Sequence, residues 1–164
     1  GTAYFAEKDL AIFTINSERY CFNERGEMQT GLQSLKQADG SFASYYFGDD
    51  GVMRTGKQTI YNDDLEENQI WYFQTKGSLK GQGYHGERDN QVYVNGLLKK
   101  ADPELRYEPV SIGEKRYLVN TSGTIQKATS SSSSASRPEL GKGFKDIKDS
   151  NDTVWTVDTS GIIQ

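Results

Sequence analysis

Aromatic and β-branched residues recur along the chain in short runs, and each run is followed by polar residues and then a glycine. The clearest run occupies residues 45–47, and Gly51, Met53 and Gly56 follow it. Such a run suits a pleated strand, and a polar connection with glycine suits a hairpin turn because glycine tolerates a positive φ. Each copy therefore predicts a strand, a turn and a short apolar strand, then an irregular polar stretch. We expect these short strands at residues 52–53, 78–79 and 124–125.

The runs form an internal repeat. Each copy places a large apolar residue before a glycine and another apolar residue two positions after it. The glycines that mark the copies, and that we predict to form the turns, are Gly26, Gly51, Gly77, Gly96, Gly123 and Gly161. Because an isolated hairpin is marginal in water, a tandem array of hairpins has to pack on its neighbours. The sequence thus predicts an all-β solenoid of stacked β-hairpin repeats with a period of about 20–27 residues.

Alternation along each first strand separates two sets of side chains. The residues four and six positions before the glycine are large and apolar, so we predict that they form the structural core of the repeats. They are Tyr20, Phe22, Tyr45, Phe47, Trp71, Phe73, Tyr117, Val119, Trp155 and Val157. The residues five and seven positions before the glycine vary in character, and we predict that they face outward. This set includes Cys21, Tyr46, Tyr72, Leu118 and Thr156, which makes Cys21 a partly exposed or edge thiol.

A serine-rich stretch of low complexity interrupts the array at residues 129–138. Its composition is typical of a flexible linker or a disordered loop. We therefore assign tandem repeats with a degenerate first unit to residues 1–128, the linker to residues 129–138, and a final, truncated repeat to residues 139–164. The longest spacing between marker glycines, 38 residues, contains this stretch.

Composition and charge narrow the function classes. Only 34% of the residues are apolar, yet 12% are aromatic and 17 are glycine, which fits thin layers of rings. No apolar run approaches 18 residues, so we predict no membrane insertion. The net charge of −4 argues against nucleic acid as a partner. One cysteine and one histidine provide neither a Cys-based zinc site nor an evident Ser-His-Asp set, so we predict no catalytic residue, metal or cofactor.

Residues 45–56, with the pattern Tyr-Tyr-Phe-x-x-x-Gly-x-Met-x-Thr-Gly, resemble the cell wall-binding repeat of Gram-positive surface proteins. That family includes choline-binding modules, glucan-binding repeats of glucosyltransferases and the receptor-binding repeats of large clostridial toxins. The similarity covers roughly residues 19–126 and a last unit in 139–164, and it is most specific over 20–81. It implies a β-hairpin solenoid, a secreted or wall-associated extracellular location, and noncovalent attachment to wall polymer or glycan.

The sequence departs from the choline-binding members at two positions of the repeat. Those members carry a tryptophan directly after the second glycine, where this chain has Leu32, Lys57 and Gln82. They also carry a ring at the start of the aromatic triplet, where this chain has Arg19, Ser44 and Ile70. Recognition of a quaternary ammonium group needs rings on several sides of the cation, so these departures argue against choline as the ligand.

Three tyrosines are the predicted ligand-binding residues. Tyr46 and Tyr72 alternate outward, and Tyr84 lies in the glycine-rich stretch 81–86. Exposed rings stack on the apolar faces of sugars, but cross-strand packing is an equally good interpretation of the first two, and a plain surface loop of the third. The acidic run 63–68 lacks the oxygen spacing of a calcium loop, so we interpret it as a solvated loop between units.

The sequence therefore favours a noncatalytic cell-wall or glycan-binding module of a secreted bacterial surface protein. The expected partner is a cell-wall polymer, either teichoic acid or polysaccharide, or a host glycan. Two alternatives remain open. One is a structural spacer or protein-interaction stalk whose ligand pockets have decayed, and the other is the targeting region of a larger wall-active enzyme.

Overall fold

The computed structural model describes residues 3–164, which contain β-strands and one 3₁₀ turn but no α-helix. In chain order the strands are β1 (Leu10–Ile15), β2 (Glu18–Asn23), β3 (Met28–Gln29), β4 (Gly31–Lys36), β5 (Phe42–Phe47), β6 (Met53–Arg54), β7 (Gly56–Asn62), β8 (Glu67–Phe73), β9 (Gly86–Arg88), β10 (Gln91–Val94), β11 (Leu97–Leu98), β12 (Tyr107–Ile112), β13 (Lys115–Asn120), β14 (Lys145–Lys148) and β15 (Val154–Val157). The 3₁₀ turn covers Pro138–Leu140. The predicted all-β class is confirmed, as several small antiparallel sheets.

The chain divides into two compact units. The first comprises the described part of Gly1–Tyr84 together with Asn95–Leu97. The second comprises His85–Val94 and Leu98–Gln164. The predicted segments 1–128, 129–138 and 139–164 stay a prediction, and residues 1–2 of the first segment lie outside the described residues.

The main hairpins pair each aromatic strand with the strand before it, whereas the repeat pattern predicted pairing only with the short strand after it. In the first unit these hairpins are β1–β2, β4–β5 and β7–β8. In the second they are β9–β10, β12–β13 and β14–β15. Exposed and more buried residues alternate in β4 and β7, which are strands and not the irregular stretches that we expected. Residues 63–66, at the start of the acidic run, form the exposed tip of β7–β8. The run was predicted to be a loop between repeats, and it lies instead within one hairpin.

Three of the six turns at the marker glycines, those of Gly26, Gly123 and Gly161, share a side-chain cap. In the first copy Asn23 Oδ1 accepts hydrogen bonds from the backbone N–H groups of Arg25, at 3.0 Å, and Glu27, at 2.9 Å. Asn120 and Asp158 accept the equivalent pairs of N–H groups at 2.8–3.0 Å. An Asx side chain that mimics a backbone turn in this way fixes the connection locally. The short strand then pairs back, as in the Phe22–Met28 register.

Within each unit, successive turns pack closely because the marker glycine has no side chain. A Cβ built on Gly51 would lie 2.3 Å from Met28 Sδ, and one built on Gly161 would lie 2.2 Å from Ile125 Cγ2. Met28 and Ile125 each lie two positions after the preceding marker glycine. The two glycines also have φ values of 84°. Glycine is therefore required both for the left-handed turn and for the contact with the preceding copy.

The third copy has a longer turn than we expected. Gly77 has a φ of 81°, but a Cβ on it would meet nothing within 4 Å. Gly81 makes the close contact instead, with a built Cβ 2.4 Å from Met53 Sδ. The predicted strand at residues 78–79 is wrong: these residues lie in a turn, and pairing resumes where Phe73 meets Gly83. The connection in this copy is longer, so the first glycine after the rings is not the one that packs.

Both faces of the aromatic strands are covered, which corrects the predicted outward face. Cys21 is fully buried and packs with Phe47 and Leu35 of the next hairpin. Burial raises the pKa of its thiol to about 11. Leu118 is also fully buried and packs with Val157, and Thr156 is 4% exposed. At these positions the alternate residues face the following hairpin and not solvent, whereas Arg116 and Val154 of the same set are exposed as predicted.

The serine-rich stretch is folded, in contrast to the expected flexible linker. The carboxylate of Asp146 on β14 accepts hydrogen bonds from the Ser134 hydroxyl, from the hydroxyl and backbone N–H of Ser136, and from the Thr156 hydroxyl. Burial disfavours the charged carboxylate, but these donors outweigh that effect and hold the pKa of Asp146 far below its usual range. Small polar side chains here gather around one anion, and composition alone does not reveal such a partner.

Candidate functional site

The three predicted ligand-binding tyrosines lie half-buried in the first unit. Tyr46, on β5, stacks on Phe73 of β8 with ring centroids 6.0 Å apart and planes inclined by 17°. Tyr72, also on β8, meets Tyr84 edge to face at 6.1 Å. The backbone N–H of Tyr84 donates to the carbonyl of Tyr72 at 2.9 Å, so the loop that carries Tyr84 is attached to the strand. The structure thus brings these tyrosines into ring contacts, and their role in binding stays a prediction.

A row of three rings connects hairpin β4–β5 with hairpin β7–β8. Trp71 and Phe73 are two residues apart and share one face of β8, with ring centroids 6.0 Å apart and ring planes inclined by 3°. Tyr46 extends the row from the neighbouring hairpin. Gly96 approaches the indole so closely that a built Cβ would lie 3.0 Å from Trp71 Cε3. The buried indole Nε1 of Trp71 has no hydrogen-bond partner within the described part of the chain.

Exposure varies among the predicted core residues. The buried ones are Phe47, Phe73, Tyr117, Val119 and Val157. The half-buried ones are Tyr20, Phe22, Tyr45, Trp71 and Trp155. Of these, Tyr45 and Trp155 pack against residues of the preceding hairpin, so they combine packing with accessible aromatic surface. Flat apolar surface of this kind is what a sugar ring stacks on.

The positions where the sequence departs from choline-binding repeats lie beside the row of rings. Leu32 pairs with Tyr46 across β4–β5, and Lys57 pairs with Tyr72 across β7–β8. Ser44 precedes Tyr46 by two residues and shares its face of the strand. An aliphatic side chain and a hydroxyl therefore stand on this face in place of rings, which leaves fewer aromatic walls than a cation cage needs.

A second ring cluster, which the sequence analysis did not predict, lies at the start of the first unit. Tyr4 stacks on Phe22 at 5.8 Å and meets Phe13 edge to face at 5.4 Å. Phe5 is 55% exposed beside an open groove that also borders Glu24. The adjacent aromatic pair at residues 4–5 was the available signal, because it precedes the first marker glycine without matching the repeat.

Two arginines in the second unit lie over rings, a feature that the repeat pattern did not reveal. Arg116 Cζ is 5.6 Å from the ring centroid of Trp155, and Arg106 Cζ is 5.8 Å from that of Tyr107. The indole Nε1 of Trp155 donates to Asp149 Oδ2 at 3.0 Å. That hydrogen bond is the main reason that the pKa of Asp149 lies below its usual value.

Within residues 3–164, no group of three or more His, Cys, Asp or Glu side chains has a geometry that could hold a metal ion. The same residues contain no helix that is long and apolar enough to span a membrane. The expectations of no catalytic residue, no cofactor and no nucleic-acid partner stay predictions.

The chain is similar to several solved structures. Choline binding protein F from Streptococcus pneumoniae, crystallised in the presence of a peptidoglycan analogue, aligns with 20% identity and a TM-score of 0.49 over 96% of this chain and 40% of that one. CbpJ from Streptococcus pneumoniae aligns with 18% identity and a TM-score of 0.40 over 93% and 47%. An alternansucrase in complex with isomaltononaose aligns with 15% identity and a TM-score of 0.46 over 95% and 10%.

The similarity to known proteins is limited to solved structures, and it covers only part of each of them. No protein-family model and no curated protein matches the sequence. The chain spans less than half the length of each structure described above. The predicted resemblance is confirmed in the sense that choline-binding proteins are among the structures that this chain is similar to. At TM-scores below 0.5, the alignments do not establish a common fold or a common ligand.

Proposed function

We propose that the chain is a noncatalytic module of a secreted, wall-associated protein that binds cell-wall polymer or glycan through stacked β-hairpins. The single observation that carries the proposal is the pair of half-buried rings, Tyr46 and Trp71, that flank the buried Phe73 where two consecutive hairpins meet. Sugars present apolar ring hydrogens that pack on such surfaces, and two accessible rings can contact more than one residue of a polymer.

The packing of successive turns supports a repeat module over a single thick core. Met28 meets Gly51 and Met53 meets Gly81 in the first unit, and the same contact recurs in the second. Each copy thus packs on its neighbour through one repeated contact, which is the property of a solenoid. A binding surface built at one junction between hairpins is then available in modified form at others, which suits a polymer of repeating units.

A wall polysaccharide, a teichoic acid or a host glycan fits this surface better than choline does. Leu32 and Ser44 leave the face beside Tyr46 without the extra rings that surround a quaternary ammonium group. They leave room beside hydroxyl-bearing and amide side chains, which orient sugar hydroxyls through hydrogen bonds.

The proposal is tested by retention on purified Gram-positive cell walls and on a glycan array. We expect the folded wild-type protein to be retained, and Tyr46→Ala and Tyr72→Ala to reduce retention about tenfold, because each removes a stacking ring. Tyr61→Ala is the matched control, since Tyr61 is 56% exposed on β7 and belongs to no described ring contact. Tyr46→Phe keeps the ring and should keep the retention.

Loss of ring packing is separated from loss of binding by the thermal melting of each variant. Folded wild-type protein that is retained by neither walls nor any glycan contradicts the proposal. Retention that is unchanged in both alanine variants favours the spacer or stalk instead, because Tyr46 and Tyr72 then serve only the contacts with Phe73 and Tyr84.

A further inference from the structure

Arg116 and Trp155 form a defined pair in the second unit. The guanidinium carbon lies 5.6 Å from the centroid of the indole. This is the distance range in which the positive charge is attracted to the face of the ring. A guanidinium that lies over a ring keeps its N–H groups directed along its own plane, so its edge stays free to donate hydrogen bonds.

Both partners are held in place by the surrounding strands. Arg116 pairs with Ser111 across β12–β13, and its carbonyl accepts the N–H of Ile163 at 2.7 Å. Trp155 pairs with Ile147 across β14–β15, and its Nε1 donates to Asp149 Oδ2 at 3.0 Å. Because both side chains lie on hydrogen-bonded strands, the site loses little conformational freedom when it binds a ligand.

The charge of Arg116 is not neutralised by a neighbour. Within residues 3–164, its side chain is exposed and no carboxylate lies within ion-pair distance of it. Other arginines do have carboxylate partners, namely Arg25, Arg54, Arg88 and Arg137. Arg116 therefore presents an unpaired guanidinium beside an aromatic surface.

The same spacing of an arginine and a ring recurs in the first unit. Arg19 and Arg116 each lie seven positions before a marker glycine, and Tyr45 and Trp155 each lie six positions before one. Arg19 acts electrostatically on Tyr45 of the next hairpin, although burial is the larger effect on that tyrosine and raises its pKa. Arg19 also donates to the carbonyl of Lys80 at 3.4 Å. The two junctions share this spacing, and at the second one the guanidinium of Arg116 lies over the first ring of the following copy.

We propose that Arg116 and Trp155 form a subsite for an anionic oxygen group carried on a polyol or sugar. The guanidinium edge binds the oxyanion through paired, charge-assisted hydrogen bonds, and the part of the half-buried indole that the guanidinium leaves uncovered packs against the carbon skeleton next to it. The guanidinium also takes the ring face that a ligand cation would need, so the subsite rejects quaternary ammonium groups. This proposal rests on the proposed function, and it assigns the ligand class for one junction: the phosphodiester of a polyol phosphate or the carboxylate of a uronic acid.

The test is a titration of ¹⁵N-labelled protein that follows the indole N–H of Trp155. A Trp71→Phe variant assigns the signal, because the chain has two tryptophans. The probes are a glycerol phosphate oligomer, an oligogalacturonate, a neutral maltooligosaccharide and choline. We expect at least one anionic oligomer to shift the signal, to bind more weakly as salt is raised, and to outcompete the neutral oligomer. The phosphate and carboxylate arms identify which anion is preferred.

Variants at Arg116 separate the guanidinium from general charge. Arg116→Gln should weaken binding of the anionic oligomer about tenfold, and Arg116→Lys should recover only part of the loss because an ammonium lacks the planar fork. Arg25→Gln is the matched control, since it removes the same charge from an exposed arginine of the first unit, and it should bind as the wild type does. If Arg116→Gln fails to fold, the proposal is judged from the Trp155 signal shifts of the wild type and from the binding of Arg116→Lys.

The proposal is overturned if neither anionic oligomer shifts the Trp155 signal, if the neutral oligomer binds as tightly as both, or if choline binds the wild type more tightly than Arg116→Gln. Retention on cell walls is scored separately with the Tyr46 and Tyr72 variants. Retention without any response at Trp155 removes this subsite and leaves the proposed function standing. Lack of retention removes the proposed function, while the titration still decides the subsite.

Discussion

At the scale of single residues, the marker glycines meet two separate requirements. Gly161 and Gly77 have nearly the same φ, at 84° and 81°, so an L side chain is strained at either position. Only Gly161 is also crowded, because a built Cβ would lie 2.2 Å from Ile125 Cγ2 and 2.9 Å from the carbonyl oxygen of Gln126. The two positions therefore separate the cost of the backbone conformation from the cost of the contact between copies.

We predict that Gly161→Ala destabilises the protein more than Gly77→Ala does. The strain at a positive φ costs about 1 kcal/mol in both variants, and overpacking against Ile125 adds about 1–3 kcal/mol in the first. Urea unfolding of the two variants, followed by tryptophan fluorescence and far-ultraviolet circular dichroism, measures the difference. Equal losses would show that the contact between turns contributes nothing to stability.

The sequence predicted residue types at these positions better than their partners. It identified Gly26 and Gly51 as turn residues, and both adopt a positive φ. It missed Gly81, because the copy with the longest turn has an earlier glycine at the expected spacing. It also placed Cys21 on an exposed face of β2. Strand alternation shows that the two faces of a strand differ, but it does not show that the next hairpin covers the second face.

At the scale of elements, the final hairpin β14–β15 is tied to the serine-rich segment by one carboxylate. Asp146 accepts hydrogen bonds from Ser134, Ser136 and Thr156, and Ser134 is 2% exposed. These donors stay neutral as pH changes. The carboxylate of Asp146 is therefore stabilised by hydrogen bonds that exist only in the folded state. A carboxylate with a depressed native pKa stabilises the folded state above its unfolded pKa, and this contribution is lost as pH falls.

We predict that Asp146→Asn releases residues 129–137 while the rest of the second unit stays folded. The amide has one oxygen in place of two, so at least one donor to the former carboxylate loses its partner, at a cost of about 1–3 kcal/mol. Hydrogen exchange of the Ser136 amide measures the release. In the wild type the same amide should begin to lose protection as pH falls below the ordinary Asp value of 3.8. Asp152→Asn is the control, since the pKa of Asp146 does not depend on it, and protection that is identical in all three proteins would contradict the assignment.

The hairpins were only partly predictable for a related reason. The aromatic strands β2, β5 and β8 are evident from sequence because rings and β-branched residues concentrate there. Their partners β4 and β7 are rich in polar residues, and their pairing depends on the stack that buries the alternate positions. The ring row of Tyr46, Phe73 and Trp71 follows from that register, so sequence alone could name its members but not bring them together.

At the scale of the whole molecule, each of the two units contains a buried cluster shared by consecutive hairpins. The cluster around Leu118, Ile147 and Val157 belongs to hairpins β12–β13 and β14–β15, and the cluster around Cys21, Leu35 and Phe47 belongs to β1–β2 and β4–β5. In such an array the loss of one contact weakens its own copy and the next, and the effect fades along the chain. A single thick core would instead spread the loss over all residues.

We predict that Val157→Ala lowers hydrogen-exchange protection in β12–β15 and leaves β1–β5 unchanged. Val157 is fully buried, so removing two methyl groups costs about 1.5–3 kcal/mol at that site. Val154→Ala is the matched control on the same strand, because Val154 is 43% exposed and its truncation should change stability by less than about 0.5 kcal/mol. Exchange of backbone amides, measured residue by residue, follows both variants. A uniform loss of protection from β1 to β15 in Val157→Ala would contradict nearest-neighbour stability, since only a chain that unfolds as one cooperative body transmits a local defect to every strand.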